Sequence, residues 1–581
     1  MNKPLVSIDI FDTAVFRDVF QPKDIFKEIE NKIGNNFYKV RVEAQSSAGA
    51  KSAYYNILDI YNLMPKKFNP KDEILEEIKS TRANPYILEL YNSKEFDFIF
   101  ISDMYLPSSV LKVLLEHAGY KNPVVFVSCE ERALKATGDL FLKVQDKVGR
   151  KIYKHIGDNY NADIKGAKRA KIPEVEYVGP PIYEKAVKTP LLQSRKLMKL
   201  LIDKEFDKEV TIEEKVGYLF APLVFMFTKR VLEKGNSSNT IFFNARDSFL
   251  MYVIARWILR TDKNIKYCRF SRKSVHLPNF KTKYKIDDNR NSSSLSFLLT
   301  LRVESLRDFL NSLEIKNAGN CGEFLEKYDI TLDTDISFYP NKQQIIKGFA
   351  VVIQDEIYKK AEEENKNLRR YLENLRMKSG DIFVDLGHYG SMQSIIKEIA
   401  DIDLIGEYVH LFSTYKGRFR KEVEKTSFLP LGFLKLYTGI VELIFTELKG
   451  TVIGYREDGV PVVSNDKKYR KEISKLIIKG VLKGVKEIIN KEITVYYNDC
   501  LAILERFLEF PTLEEAQFAN RDIFENGSLN VNESITWFNE KLIRAGKLKE
   551  CYNRSYWKPA FKVLMENSDF KALMGEIKWH F

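Results

Sequence analysis

The sequence predicts an α/β protein with two modules built on parallel sheets, plus helical additions. Three observations predict it. Apolar, β-favouring runs alternate with helical periodicity from residue 96 to a Gly179-Pro180-Pro181 stop, and the alternation resumes at residue 240. Such alternation feeds parallel sheets. Several apolar runs end in an acidic or hydroxyl residue, and in an open α/β sheet the strand ends converge on one crevice. At 581 residues the chain is also too long for one compact core.

The first apolar run ends in Ser7-Ile8 and delivers Asp9-Ile10-Phe11-Asp12-Thr13. Residues 18–93 follow helical spacing: Ile25, Phe26 and Ile29, then Ile74, Leu75 and Ile78, recur three and four apart. A strand expected at 98–101 ends in Ser102-Asp103, and Leu106-Pro107-Ser108-Ser109 signals a helix over 110–117. Strands at 124–127 and 152–156 precede helices at 138–148 and from Asp163 onward, with Leu134-Lys135 opening a helical pattern. In the second module a strand at 240–244 runs into a helix over 248–258. A further apolar run at 267–270 ends in Ser271-Arg272-Lys273-Ser274, and one at 382–385 leads into Leu386-Gly387-His388-Tyr389-Gly390-Ser391. From about Tyr469 helical spacing continues to the end, and there is no internal repeat or low-complexity tract. These patterns divide the chain into domains at 1–185, with a helical insert over about 18–93, at 186–465, and at 466–581.

Hydrophobic and charged contents of 44% and 30% are those of an ordinary globular chain. The longest apolar stretch, residues 216–227, is too short to span a bilayer and contains Gly217 and Pro222. Asp9 and Asp12 interrupt what would have to be the apolar region of a secretory signal. Cys129, Cys268, Cys321, Cys500 and Cys551 are scattered without metal spacing and read as reduced thiols of a cytosolic protein. The net charge of +12 suits a polyphosphate ligand or an anionic membrane surface, and lysine-rich solvated faces explain it equally well. No nucleic-acid-binding module is recognisable, so no nucleic acid is expected as a partner.

Asp9, Ser102, Lys135 and the pair Asp158 and Asp163 are together the parts for moving a phosphoryl group. A carboxylate such as Asp9 can attack phosphorus and form a covalent intermediate that water hydrolyses. Nucleophile and phosphate are both negative, so the chemistry asks for Mg2+, and Asp9 and Asp158 offer the oxygen ligands that suit it. Ser102 can donate to a phosphoryl oxygen, Lys135 can neutralise charge, and Asp163 can hold the metal shell or Lys135. Each residue alone has an ordinary explanation, such as a turn aspartate or a solvated lysine. The ordered set is what points to chemistry.

In that order the segments resemble the haloacid dehalogenase-like (HAD) superfamily. Ile8-Asp9-Ile10-Phe11-Asp12-Thr13, Ile101-Ser102, Lys135, and Gly157-Asp158 with Asp163 are similar to its four motifs, over residues 1–183. The resemblance implies a Rossmann-like core and a helical cap that closes over substrate. It implies Asp9 as nucleophile, Asp158 as magnesium ligand and the Phe11 carbonyl as a further ligand. Phosphatases of the superfamily carry a second Asp two positions after the nucleophile as general acid and base. Here that position is Phe11, and the nearest carboxylate is Asp12. Three outcomes stay open: Asp12 serves as the shuttle, hydrolysis is slow, or the module is inactive.

Asp385 ends a strand, and Gly387 to Ser391 form a glycine-bearing loop that opens a helix. Such a loop can aim backbone N–H groups at a phosphate while the leading Asp faces ribose hydroxyls, although paired glycines also serve merely to turn a chain. Arg246-Asp247 and Arg272-Lys273 would bring cations around a diphosphate, and an ordinary helix-start ion pair is the plain reading of Arg246. The order of these segments resembles a type I phosphoribosyltransferase, with one acid before the loop where that family has two. Nearly the full length is similar to bacterial polysaccharide-assembly proteins that fuse a HAD phosphatase to a phosphoribosyltransferase-like module.

That resemblance implies transfer of ribofuranosyl 5-phosphate from phosphoribosyl pyrophosphate (PRPP) to a polysaccharide or lipid-linked acceptor, and then removal of the 5-phosphate. Other glycan-assembly enzymes are the partners it suggests. Asp385 would hold ribose hydroxyls, Gly387, Gly390 and Ser391 the 5-phosphate, and Arg246 with Arg272 or Lys273 the pyrophosphate. His388 and Tyr389 are near enough in sequence to touch the sugar, Tyr389 reading more naturally as a buried aromatic. Glu442 and Glu447 are either activators of an acceptor hydroxyl or surface carboxylates on a helix. Ile473, Ile477, Val481, Val485 and Ile488 share one helix side among lysines, as a packing face or a membrane contact. Two other classes stay open: a phosphatase of sugar phosphates or nucleotides whose second half selects substrate, and a non-catalytic scaffold. A cytoplasmic location is expected, with peripheral contact at the inner membrane face left open.

Overall fold

The computed structural model describes residues 3–178 except 18, 20, 21, 35 and 94, residues 194–412 except 206, 208, 302 and 338, and residues 423–464, 468–521, 524–525 and 532–577. The Gly179-Pro180-Pro181 stop and the expected boundary at 185 lie outside the described residues. Two compact units divide the chain: residues 1–209 with 493–506, and residues 210–492 with 507–581.

The first unit is built on β1 (Leu5–Ile8), β4 (Asp97–Ser102), β5 (Val125–Val127), β6 (Ile152–Gly157) and β7 (Glu174–Tyr177). They form one parallel sheet in the order β5-β4-β1-β6-β7. Strands covered on both faces need apolar side chains on both, and β1 is buried along its whole length. Val6, Ile8 and Phe100 face a layer with Leu111 and Leu114, whereas Leu5, Ile99 and Ile101 face Leu140, Phe141 and Val144. Between β1 and β4 the chain inserts helices Asp24–Ile33, Phe37–Lys51, Ile57–Tyr61, Pro70–Ser80 and Pro85–Asn92. An antiparallel ribbon of β2 (Val15–Arg17) and β3 (Thr81–Ala83) ties the insert to the loop that follows β1. The insert has a polar centre: fully buried Arg41 donates to Glu73 at 2.7 Å and Gln45 at 2.9 Å, and Tyr61 donates to Glu73 at 3.0 Å.

The second unit holds β8 (Ile241–Asn244), β9 (Ile265–Cys268), β10 (Ile382–His388), β11 (Ile405–Leu411) and β12 (Lys425–Ser427), all parallel, in the order β12-β11-β10-β8-β9. The winding therefore reverses between β8 and β10, where an open sheet gapes beyond its strand ends. Helix Ile212–Lys234 packs along helix Lys468–Asn490. The backbones meet closely enough that a Cβ on Gly480 would sit 2.2 Å from the Glu214 carbonyl oxygen. Ile473, Ile477, Val481, Val485 and Ile488 are all buried, so this apolar face is a packing face and not one free for a membrane. No helix of the described residues is long and apolar enough to cross a membrane.

Other expectations shift in detail. The run expected at 267–270 pairs two residues earlier, as β9. The helix expected over 248–258 is α-helical only over Phe249–Val253 and π-helical over Ile254–Ile258. Lys135 lies in the turn before helix Asp139–Val148, rather than opening it.

Candidate active site

Asp9, Ser102 and Asp158 sit where strands of the first unit's sheet end, and Lys135 and Asp163 come from the turns that follow. Asp9 follows β1 and is pinned by its amide, which donates to the Ile156 carbonyl of β6 at 2.9 Å. The chain then doubles back: Ala14 N donates to Asp9 O at 3.2 Å, and Asp12 N donates to Val15 O at 2.8 Å with φ +60° at Asp12. Ser102 ends β4, Asp158 follows β6, and the π-helical turn Tyr160–Lys165 brings Asp163 back underneath. Asp9, Phe11, Asp12, Ser102, Lys135, Asp158 and Asp163 thereby line one cavity of about 370 Å³.

Lys135 is the hub. Its Nζ donates to Asp9 and, at 2.6 Å, to Asp163, while its backbone N donates to both oxygens of Asp103 at 3.1 Å. Asp163 also lies 3.0 Å from His155 Nε2 and accepts from Asn159 N at 2.9 Å; Ser7 Oγ sits 2.8 Å from His155 Nδ1. Thr13 Oγ1 donates to Asp158 at 3.3 Å.

Burial pushes the Asp9 carboxyl well up, with Lys135 opposing and Asp163 and Asp158 adding to it. Burial, Asp12 and Asp163 push Asp158 up to about 6. Asp163 is held low against its burial by Lys135 and His155. Burial weakens the Lys135 ammonium, but Asp9, Asp163 and Asp103 outweigh it and keep that charge in place. One oxygen each of Asp9, Asp158 and Asp163 lie within 4.8 Å of one another. A hard, all-oxygen donor set facing a single lysine carries surplus negative charge, and a divalent cation of the magnesium type fits it.

Phe11 forms part of the wall and lies beneath the guanidinium of Arg17, 3.8 Å from the ring centroid. Its side chain offers no proton, whereas the Asp12 carboxyl stands in the same wall.

In the second unit, the reversal between β8 and β10 places Asn244 and Asp247 opposite Asp385. Asn244 accepts from Phe270 N at 3.0 Å, and Ser248 Oγ donates to the Val384 carbonyl at 3.1 Å. Asp385 is buried; burial and then Asp247 push its carboxyl well up. The strand does not end at Asp385 as expected: Gly387 and His388 still belong to β10, paired with His410 and Leu411 of β11, and a Cβ on Gly387 would meet the His410 carbonyl oxygen at 1.6 Å. His388 has φ +70° and lies 3.3 Å from Glu442. Ser391 begins helix Ser391–Ala400. Lys425 reaches the loop from β12, donating to Tyr389 O at 3.1 Å and Ser394 Oγ at 2.9 Å, and burial lowers its ammonium to about 8.

The expected cations divide. Arg272 is exposed at the first residue of helix Arg272–His276, and its charge acts on His388. Arg246 donates to Thr451, and Lys273 pairs with Glu314 at 3.4 Å. Tyr389 is 42% exposed, edge-on to Phe412, and not the buried aromatic expected. Glu447 is no surface carboxylate either: it lies buried past the end of helix Thr438–Phe445, accepting from Arg269 at 2.7 Å and Tyr267 at 2.8 Å.

Sequence reasoning missed Asp103, Arg17, Asn244 and Lys425 as site residues. Asp103 was discoverable, because it directly follows Ser102 at a strand end. Lys425 gives no signal in sequence, since only the pairing of β12 brings it to the loop. Compared with family models and with curated proteins, the chain matches none.

Proposed function

We propose that the chain is a two-step glycan-assembly enzyme. The second unit transfers ribofuranosyl 5-phosphate from PRPP to a polysaccharide or lipid-linked acceptor, and the first unit, a HAD-type phosphatase, removes the 5-phosphate. The observation that carries the hydrolytic step is the convergence of Asp9, Asp12, Ser102, Lys135, Asp158 and Asp163 on one cavity. Asp9 attacks phosphorus as the bond from phosphorus to the sugar oxygen breaks, giving an aspartyl phosphate. Ser102 and Lys135 stabilise the charge that gathers on the phosphoryl oxygens. Asp12 gives its proton to the departing sugar oxygen and then takes one from the water that releases phosphate and restores Asp9. Asp9, Asp158, Asp163 and the Phe11 carbonyl would hold Mg2+, which supplies the charge neutralisation that lets two anions meet.

For transfer, the support is the strand reversal that sets Asp385 and the 387–391 loop at one crevice. Asp385 holds ribose hydroxyls, the loop and Lys425 hold the 5-phosphate, and Arg272 faces the pyrophosphate. The C1 bond to pyrophosphate breaks as the bond to the acceptor oxygen forms. Glu442, 3.3 Å from His388, takes the acceptor's proton. The engagement of Arg246 by Thr451 and of Lys273 by Glu314 favours a second reading: a sugar-phosphate phosphatase whose second unit only selects substrate.

Incubation with PRPP, Mg2+ and a glycan acceptor tests both. Wild type releases pyrophosphate and then phosphate. Asp9→Asn still releases pyrophosphate but leaves a phosphorylated pentose on the glycan, and Asp385→Asn releases neither from this mixture. Phosphate from small sugar phosphates with no pyrophosphate from PRPP selects the second reading. Neither product from wild type removes both readings in favour of a scaffold.

A further inference from the structure

We propose that Arg17 selects the leaving group at the hydrolase site, favouring a neutral, hydroxyl-rich group over one that carries a second phosphate. The inference rests on the hydrolase reading above. Arg17 ends β2 and lines the same cavity as Asp9. Glu77 of helix Pro70–Ser80 accepts from its Nε at 2.9 Å and its Nη2 at 3.5 Å, with the two side chains only 7% and 2% exposed. Among the described residues no other hydrogen bond engages Arg17, so Nη1 keeps its hydrogens for a group in the cavity. The Phe11 ring, 3.8 Å away, fixes the plane of the guanidinium.

The pairing decides which chemistry is recognised. A lone guanidinium draws a phosphate. One already matched by a carboxylate, as Arg17 is by Glu77, adds donors without net charge. The same cavity is lined by Gln45, whose amide is held between Arg41 at 2.9 Å and Tyr55 at 3.1 Å, and by Tyr105. A site of this make-up rewards hydroxyl groups and offers a second anion no unmatched positive charge.

The test is steady-state hydrolysis with Mg2+ of ribose 5-phosphate, fructose 1,6-bisphosphate and p-nitrophenyl phosphate. Wild type is expected to favour ribose 5-phosphate over the bisphosphate by about tenfold or more in kcat/KM. Arg17→Gln and Arg17→Lys should each lower the ratio of ribose 5-phosphate to p-nitrophenyl phosphate by about tenfold or more. Glu77→Gln, which frees the Arg17 charge, should raise relative turnover of the bisphosphate by about fivefold. Each ratio is taken within one preparation and is independent of the fraction that folds. Unchanged ratios in the Arg17 variants, or a wild-type preference for the bisphosphate, would overturn the assignment while leaving the hydrolase standing. No hydrolysis of any of the three by wild type would overturn the hydrolase reading and this inference with it.

Discussion

Asp12 is where the first site departs from what its neighbours in sequence suggest. Phe11 occupies the position two after the nucleophile, but the left-handed backbone at Asp12, φ +60°, turns the next carboxyl into the cavity wall. Asp12→Asn is expected to slow phosphate release from a sugar phosphate by roughly 10²- to 10⁴-fold, the usual worth of a positioned proton donor. Release from p-nitrophenyl phosphate, whose leaving group departs without a proton, should fall much less in the same assay. His410 makes a second residue-scale prediction. Its Nε2 accepts a hydrogen bond from Leu434 N at 3.1 Å, and burial, with His388 adding to it, lowers the imidazole from 6.5 to about 4. Between those values the unfolded chain binds more protons than the folded one, so stability is full above about 6.5 and is lost as pH falls toward 4. Urea midpoints followed from pH 7 downward should show that loss, and His410→Gln should flatten it. Asp9, Ser102 and Asp158 were legible because each ends or follows an apolar strand, and Lys135 and Asp163 only as members of the ordered set. The turn that puts Asp12 in the cavity wall was not, since a left-handed aspartate leaves no mark in the pattern.

Among the elements, the end of β10 that leads to helix Ser391–Ala400 is the most tightly specified. It pairs so closely with β11 that only glycine fits at 387, where φ is +137° and a side chain would overlap the His410 carbonyl. Gly387→Ala is expected to cost about 1–3 kcal/mol or more, read as a lowered urea midpoint, because overpacking against backbone cannot relax. Loss of PRPP binding should accompany it. Strands β1, β4 and β8 were legible as largely apolar runs, and β10 as one that reaches Asp385, whereas Lys154 and His155 break the run of β6. β11 was not: buried Glu407 and His410 interrupt its apolar pattern, each given a partner that only the fold supplies. The π-helical turn carrying Asp163 was read as an ordinary helix for a similar reason, since both periods place its apolar residues alike over so short a span.

At the scale of the molecule, the α/β class and the two parallel sheets follow from strand–helix alternation alone. The strand orders could not be read there, and they are what set Asp385 opposite Asp247. Charge gave little guidance: +12 is spread through a chain in which Arg246 and Lys273, two of the cations expected at the second crevice, bind other partners. The division into units carries a different consequence. The first unit is interrupted after residue 209 and regains residues 493–506 only late in the chain. At a ribosomal rate of about 5–20 residues per second, its opening sheet waits roughly 15–60 s for that last piece. Birth of the protein is therefore a matter of custody: the nascent first unit waits without its last segment until nearly the whole message has been read.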